Sequence, residues 1–116
     1  MCSSDLEVSA RNAAVDTAIR GATEVPLETM RLCQQALRGA TVIARNGHAN
    51  AATDTGVGVH LLLASLRGAG MNVDVNTASL KDAAYVARVK EERTELEAEG
   101  AADAATALAG LPGAPR

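Results

Sequence analysis

The chain has no phenylalanine and no tryptophan, and its only tyrosine is Tyr85. That absence constrains the fold more than any motif does. An aromatic side chain buries roughly 150–250 Å², far more than alanine can. A core without aromatics is built from Ala, Leu and Val and is thin. At 116 residues the chain is one domain at most, and a small domain leaves much of its surface wet. Alanine-rich helices suit close helix–helix approach. The sequence therefore predicts helices that pack against something large, either another chain or a missing half. The expected fold is all-α, an antiparallel helical bundle forming an incomplete half of a larger helical domain.

Charge and cysteine usage narrow the function classes. The net charge is -3 and lysine occurs only at Lys81 and Lys90. Phosphate binding needs clustered Lys and Arg, so nucleic acid is not an expected partner. The most apolar run, Val57 to Leu66, is too short to span a membrane. Cys2 and Cys33 form neither a disulfide framework nor a metal-binding spacing. The opening residues lack the charged start and apolar middle of a secretory leader, and the expected location is the cytoplasm. Met1 to Leu6 resemble a translated sequencing adapter, so residues 1–6 are expected to be a non-native leader. The alternative is a natural N-terminus with Ser3 or Asp5 capping a helix. The domain is expected over residues 7–111, followed by a disordered tail over 112–116.

Along the chain, residues 7–23 read as a helix, with Val8, Ala14 or Val15, Ala18 and Ala22 at helical spacing. Pro26 lacks a backbone donor and disfavours helix in the residue before it. A break or kink is expected near residues 23–25, with a second helix from Pro26 to about Arg45. Its stripe is Leu27, Met30, Cys33 or Gln34, Leu37, Ala40 and Ala44, broadened by Val42 and Ile43. It should stop at Asn46-Gly47, residue types that tolerate left-handed backbone.

The third helix is expected over residues 55–69, with Thr53 or Asp54 as its cap. Apolar residues surround most of its circumference, which predicts a central position. Gly56 and Gly58 leave room for another backbone or a ligand. Residues 68–76 read as a helix end followed by an irregular or helical segment. A charged helix from Ser79 or Lys81 to about Glu99 follows, with a seam of Val86, Val89, Arg93 and Leu96. Gly100 should interrupt it before a weak Ala-rich helix over 101–111. The run from Lys90 to Glu95 reads as a solvated face.

Asp54 is the carboxylate of most interest. It opens the most apolar helix, after a turn holding His48 and Asn50. It reads either as a partly shielded acid or base or as a helix cap, and spacing alone favours the cap. Asn72 and Asn76 fall on one face if their segment is helical. Their amides could then hold a heteroaromatic ligand, against the simpler reading of turn chemistry. His48 and His60 have no metal-ligand spacing, and His60 reads as a core or interface histidine. Gly56-Val57-Gly58 lacks the third glycine and preceding strand of a dinucleotide site.

The order of these pieces is more specific than any one of them. Ala22-Thr23-Glu24-Val25-Pro26-Leu27 precedes a helix. Gly47-His48-Ala49-Asn50-Ala51-Ala52-Thr53-Asp54 follows it, then a small-residue helix and Asn72-Val73-Asp74-Val75-Asn76. The set resembles the cyclodeaminase/cyclohydrolase family over roughly residues 11–85. That family includes the cyclodeaminase domain of formiminotransferase-cyclodeaminase and bacterial methenyltetrahydrofolate cyclohydrolases. The resemblance implies an all-helical domain assembling as a homodimer or higher homo-oligomer. It also implies one-carbon chemistry on a tetrahydrofolate substrate with no metal and no further cofactor. It implies Asp54 as the catalytic carboxylate, with Gly47, His48, Asn50, Asn72 and Asn76 in substrate binding or site support. Two departures stand out. His48 replaces the family's usual Asn, and the family's N-terminal half, with its Pro-Gly-Gly-Gly-Ser type segment, has no counterpart here. The resemblance therefore implies the C-terminal portion of an enzyme, inactive alone. A non-catalytic helical assembly module keeping the family's packing motifs is the competing expectation.

Overall fold

A computed structural model describes residues 3–113. Ala114 to Arg116, in the expected tail, and Met1 and Cys2, in the expected leader, lie outside the described residues. Helix α1 spans Ser3–Asn46, α2 spans Ala52–Thr77 and α3 spans Ala83–Ala109, with a short 3-10 turn at Ala49–Ala51. All three helices pack against one another in an up-down-up arrangement, so the all-α antiparallel bundle expected from the sequence is what forms. The molecule measures 71 × 20 × 16 Å. Its length is that of α1, whose 44 residues span about 66 Å at about 1.5 Å per residue.

The core follows the predicted stripe of the second segment. Leu27, Met30, Cys33, Gln34, Leu37, Ala40 and Ala44 are all buried on α1. They meet Val59, Leu66, Ala69 and Val73 of α2, and Tyr85, Val89, Ala104 and Ala107 of α3. Val42 and Ile43 do not broaden this stripe, because both point to solvent. The earlier stripe, Val8 to Ala22, is exposed as well. Contacts here are confined to the end of the stretch, where Arg20 pairs with Asp82 and lies over the Tyr85 ring.

Three expected interruptions are absent. α1 continues through Pro26. A proline at that position leaves the carbonyl four residues earlier, Ala22, without its helical donor. The Asn76 side-chain amide donates to the Ala22 carbonyl oxygen at 2.9 Å. Tertiary contact therefore repairs the gap that local sequence opens. α2 runs on through Gly68 and Gly70 to Thr77, and α3 runs through Gly100. Packing explains two of these glycines. A Cβ on Gly100 would lie 2.3 Å from Leu66 Cδ2, and one on Gly70 would lie 2.9 Å from Arg93 Nη2. Each marks a close approach between helices, and neighbouring side chains fill the space.

α2 is not surrounded, contrary to the expectation from its composition. One side is core, but Val57, Leu61, Met71 and Val75 on the other are exposed. No atom lies within 4 Å of a Cβ built on Gly58. His60 is exposed too. The predicted seam of α3 does face inward, with Val89 buried and Val86, Arg93 and Leu96 half-buried. The run from Lys90 to Glu95 is not wholly solvated. Glu92 accepts two hydrogen bonds from Arg31, at 2.7 and 3.0 Å, and Arg93 Nε pairs with Asp74 at 3.0 Å.

Candidate functional site

The six residues singled out in the sequence fall at the two ends of α2. At its N-terminal end the chain turns at Gly47, whose N–H donates to the Ile43 carbonyl at 2.7 Å. A Cβ here would stand 2.6 Å from that oxygen, so glycine is required by close approach. Left-handed backbone plays no part, since Gly113 has the positive φ among the described residues and neither Asn46 nor Gly47 does. His48 is extended (φ −68°, ψ 138°) and its carbonyl accepts from Ala51 N at 3.0 Å. Asn50 lies in the 3-10 turn. Gly47, His48, Asn50 and Asp54 are all exposed.

Asp54 sits in the first turn of α2, where a carboxylate is favoured by the positive end of the helix dipole. It does not cap the helix, and neither does Thr53. The cap position is Ala51, with no side-chain cap bond. A shallow cleft of about 390 Å³ at this end is lined by Thr53, His60 and Leu111, on the other side of α2 from Asp54.

At the C-terminal end, Asn72 and Asn76 share one face of a continuous helix, as the i,i+4 spacing requires. They line an open groove of about 600 Å³ between α1 and α2, with Ala22, Pro26, Thr29 and Ser65. One donor of Asn76 is committed to Ala22. Its remaining hydrogen and its carbonyl oxygen, with the whole amide of exposed Asn72, are what the groove offers a ligand. The structure thus brings Gly47, His48, Asn50 and Asp54 to one neighbourhood and Asn72 and Asn76 to another. The two are separated by about 27 Å of helix.

Electrostatics divide the molecule lengthwise. Arg31 and Arg38 of α1 and Arg67 of α2 pair with acids of α3, while Arg93 of α3 pairs with Asp74 of α2 and with Glu97 on its own helix. Bonds to Glu92 and Glu28 raise the Arg31 pKa. Asp82, at the cap of α3, is held below the usual carboxylate range by the Tyr85 N–H and then by Arg20. Burial pushes the Tyr85 phenol up to about 12, helped by its 2.7 Å hydrogen bond to Glu24. Burial also raises the Cys33 thiol. The side of α2 turned from α3 carries residues 54, 57, 58, 61, 64, 65, 68, 71, 72, 75 and 76, and Asp54 is the one ionisable group among them.

Comparison with known proteins finds a matching family and relatives. Residues 2–95 match the formiminotransferase-cyclodeaminase family. A methenyltetrahydrofolate cyclohydrolase of Methylorubrum extorquens is 38% identical over 98 residues, covering 84% of this chain and 47% of that protein. A formimidoyltransferase-cyclodeaminase of Dictyostelium discoideum is 30% identical over 86 residues, covering 74% of this chain and 16% of that protein. The chain is an all-helical protein related to folate one-carbon enzymes. The chain belongs to the formiminotransferase-cyclodeaminase family, and it spans about half or less of the length of these relatives.

Proposed function

We propose that this chain is the C-terminal portion of a tetrahydrofolate one-carbon enzyme, a methenyltetrahydrofolate cyclohydrolase or a formiminotetrahydrofolate cyclodeaminase. The observation that carries the reading is the chemistry of the outer side of α2. Two amides on one helical face line a groove, and a single carboxylate is the one ionisable group on that side. Amides supply paired donors and acceptors for a heteroaromatic ring. A carboxylate suits proton transfer and stabilises developing positive charge.

In the cyclohydrolase reaction, water oxygen bonds to the carbon bridging N5 and N10 and Asp54 accepts a water proton. The bond to N5 then breaks, its electron pair staying on N5, which takes up a proton as the hydroxyl on the bridging carbon loses its own to form the formyl C=O. The product is the N10-formyl compound, with one proton released. In the cyclodeaminase reaction N10 attacks the formimino carbon and ammonia leaves. The same carboxylate serves either proton transfer. Asn72 and Asn76 hold the ligand, and Gly47, His48 and Asn50 shape the turn that presents Asp54. No metal and no cofactor beyond the tetrahydrofolate derivative enters this scheme, and a cytoplasmic, homo-oligomeric enzyme fits it.

A second reading has its own observation. Asp54 and the two asparagines do not converge within one chain, and the face between them is apolar, which suits a non-catalytic helical assembly module. The full-length protein decides. Asp54→Asn is expected to lower kcat at least a hundredfold while KM and the melting temperature change little. Turnover per folded molecule equal to wild type would rule Asp54 out as the catalytic carboxylate. Absence of folate turnover and folate binding in the full-length wild type would favour the assembly module.

A further inference from the structure

The start of α2 is held differently from the start of α3. Asp82 caps α3, its side chain accepting from the Tyr85 N–H at 3.1 Å. The cap position of α2 is Ala51, whose methyl offers no acceptor. A helix end without a capping side chain forgoes about 0.5–2 kcal/mol of support for its orphan N–H groups, and such ends open first. The first turn of α2 nonetheless lies against the bundle, with Gly56 buried.

What lies on that glycine comes from the far end of the chain. The Gly110 N–H donates to the Thr106 and Ala107 carbonyls, at 3.0 and 3.1 Å, and the Leu111 N–H donates to the Leu108 carbonyl at 3.4 Å. These bonds bend the chain back as α3 ends. The bend passes the end of α1, where a Cβ on Gly110 would stand 3.9 Å from Ala44 Cβ. It brings Leu111 onto α2, so that a Cβ built on Gly56 would meet Leu111 Cδ1 at 3.3 Å. Leu108 and Leu111 both pack against the core. The room that Gly56 leaves is therefore filled by a leucine of this chain.

We propose that Leu111 is a positioning residue, a clamp that takes the place of the missing cap and fixes the first turn of α2, and with it Asp54. The effect on turnover rests on the folate reading above, and the seating of the helix end does not. The family match covers residues 2–95, and Leu111 lies outside it.

The geometry suits a clamp that acts without touching the ligand. Gly56 follows Asp54 by two residues, about 200° around the helix. Leu111 thus presses on the inner side of the turn while Asp54 stands exposed on the outer side. The seat needs glycine. At 3.3 Å the contact is tighter than ordinary packing, so a methyl group on residue 56 displaces Leu111. A glycine inside a helix costs about 1 kcal/mol relative to alanine, and the packing of the clamp offsets that cost. If the turn swings outward, Asp54 goes with it. A misplacement of about 1 Å can cost about a hundredfold in rate. Asn72 and Asn76, about 27 Å along the helix, are out of the clamp's reach.

Amide hydrogen exchange of the chain tests the clamp without folate. In Leu111→Ala the amides of residues 55–59 should exchange about tenfold faster than in wild type, while those of residues 73–77 change by less than about twofold. Leu111→Met, of similar volume, should keep the wild-type rates. Unchanged exchange at 55–59 overturns the clamp. Equal acceleration at both ends of α2, or loss of helical content in Leu111→Ala, overturns it too, because Leu111 is then an ordinary core residue. Positioning is read in the full-length protein. There Leu111→Ala should lower kcat about tenfold with KM unchanged, and Leu111→Met should turn over like wild type. Faster exchange at 55–59 with unaltered kcat overturns the positioning of Asp54. If the full-length wild type neither binds nor turns over folate, the folate reading fails, and exchange at 55–59 still decides the clamp.

Discussion

The seams that α3 makes with its neighbours and the outer face of α1 and α2 are both formed by helix surfaces, but their chemistry is opposite. Around α3, arginines of all three helices pair with acids across the seams. Glycine at 70 and 100 lets a guanidinium or a leucine fill the gap. On the outer face, Gly39 and Gly68 open onto empty space and Leu32, Leu61 and Val75 are exposed. A glycine inside a helix costs about 1 kcal/mol relative to alanine. Around α3 that cost coincides with visible close packing. On the outer face nothing in the single chain offsets it, and the difference separates a face that the chain covers itself from one that it leaves open.

The largest contrast between the two regions should come from two leucines on the same helix. Leu66 is fully buried at the α3 seam and Leu61 is on the outer face. Leu66→Ala is expected to cost about 2–5 kcal/mol in urea unfolding followed by far-ultraviolet circular dichroism. Leu61→Ala should move the stability of the dilute monomer by less than about 0.5 kcal/mol. Equal losses would erase the distinction between the faces.

A pH series probes the closed side. The Tyr85 phenol is raised to about 12 from its ordinary 10.0. A raised phenol means that folding favours the neutral form. Its contribution is therefore fully present below about pH 10 and is lost as pH climbs toward 12, on the order of 2 kcal/mol in all. Melting temperatures of wild type should fall across that window more steeply than those of Tyr85→Phe. Parallel curves would contradict the buried, hydrogen-bonded phenol.

Glycine-to-alanine changes should have opposite signs on the two faces. Gly100→Ala forces a Cβ against Leu66 and should destabilise by about 1–3 kcal/mol. Gly68→Ala meets open space and should stabilise the monomer by roughly 0.5–1 kcal/mol. Smaller still is the link between Pro26 and Asn76. Asn76→Ala should cost about 0.5–1.5 kcal/mol in wild type and close to nothing in a Pro26→Ala background. There a backbone N–H returns to Ala22. A double-mutant cycle with no coupling would deny that Asn76 repairs the helix.

This pair also shows where the sequence stopped being legible. The buried stripe from Leu27 to Ala44 and the seam of α3 were readable because helical periodicity reports which face is dry. The continuity of α1 was not, because the donor that compensates Pro26 comes from Asn76, distant in sequence. The same limit applied at Gly100, where Leu66 fills the space that the glycine leaves. The run of apolar residues in α2 predicted burial, but hydrophobicity alone cannot say whether a chain's own helices or a second molecule will cover a face. The candidate site was legible as a list of residues and not as a place. Linear spacing fixed Asn72 and Asn76 on one face of α2, yet it could not show that about 27 Å of helix parts them from Asp54.

Sedimentation equilibrium of the wild-type chain beside Leu61→Asp tests the central claim most directly, that the chain leaves the outer face of α2 open and that the proposed homo-oligomer covers it. The account predicts a concentration-dependent dimer for wild type and a folded monomer for Leu61→Asp, with the same helical content in both. A wild type that remains monomeric at high micromolar concentration, or a Leu61→Asp chain that dimerises as readily as wild type, would contradict it.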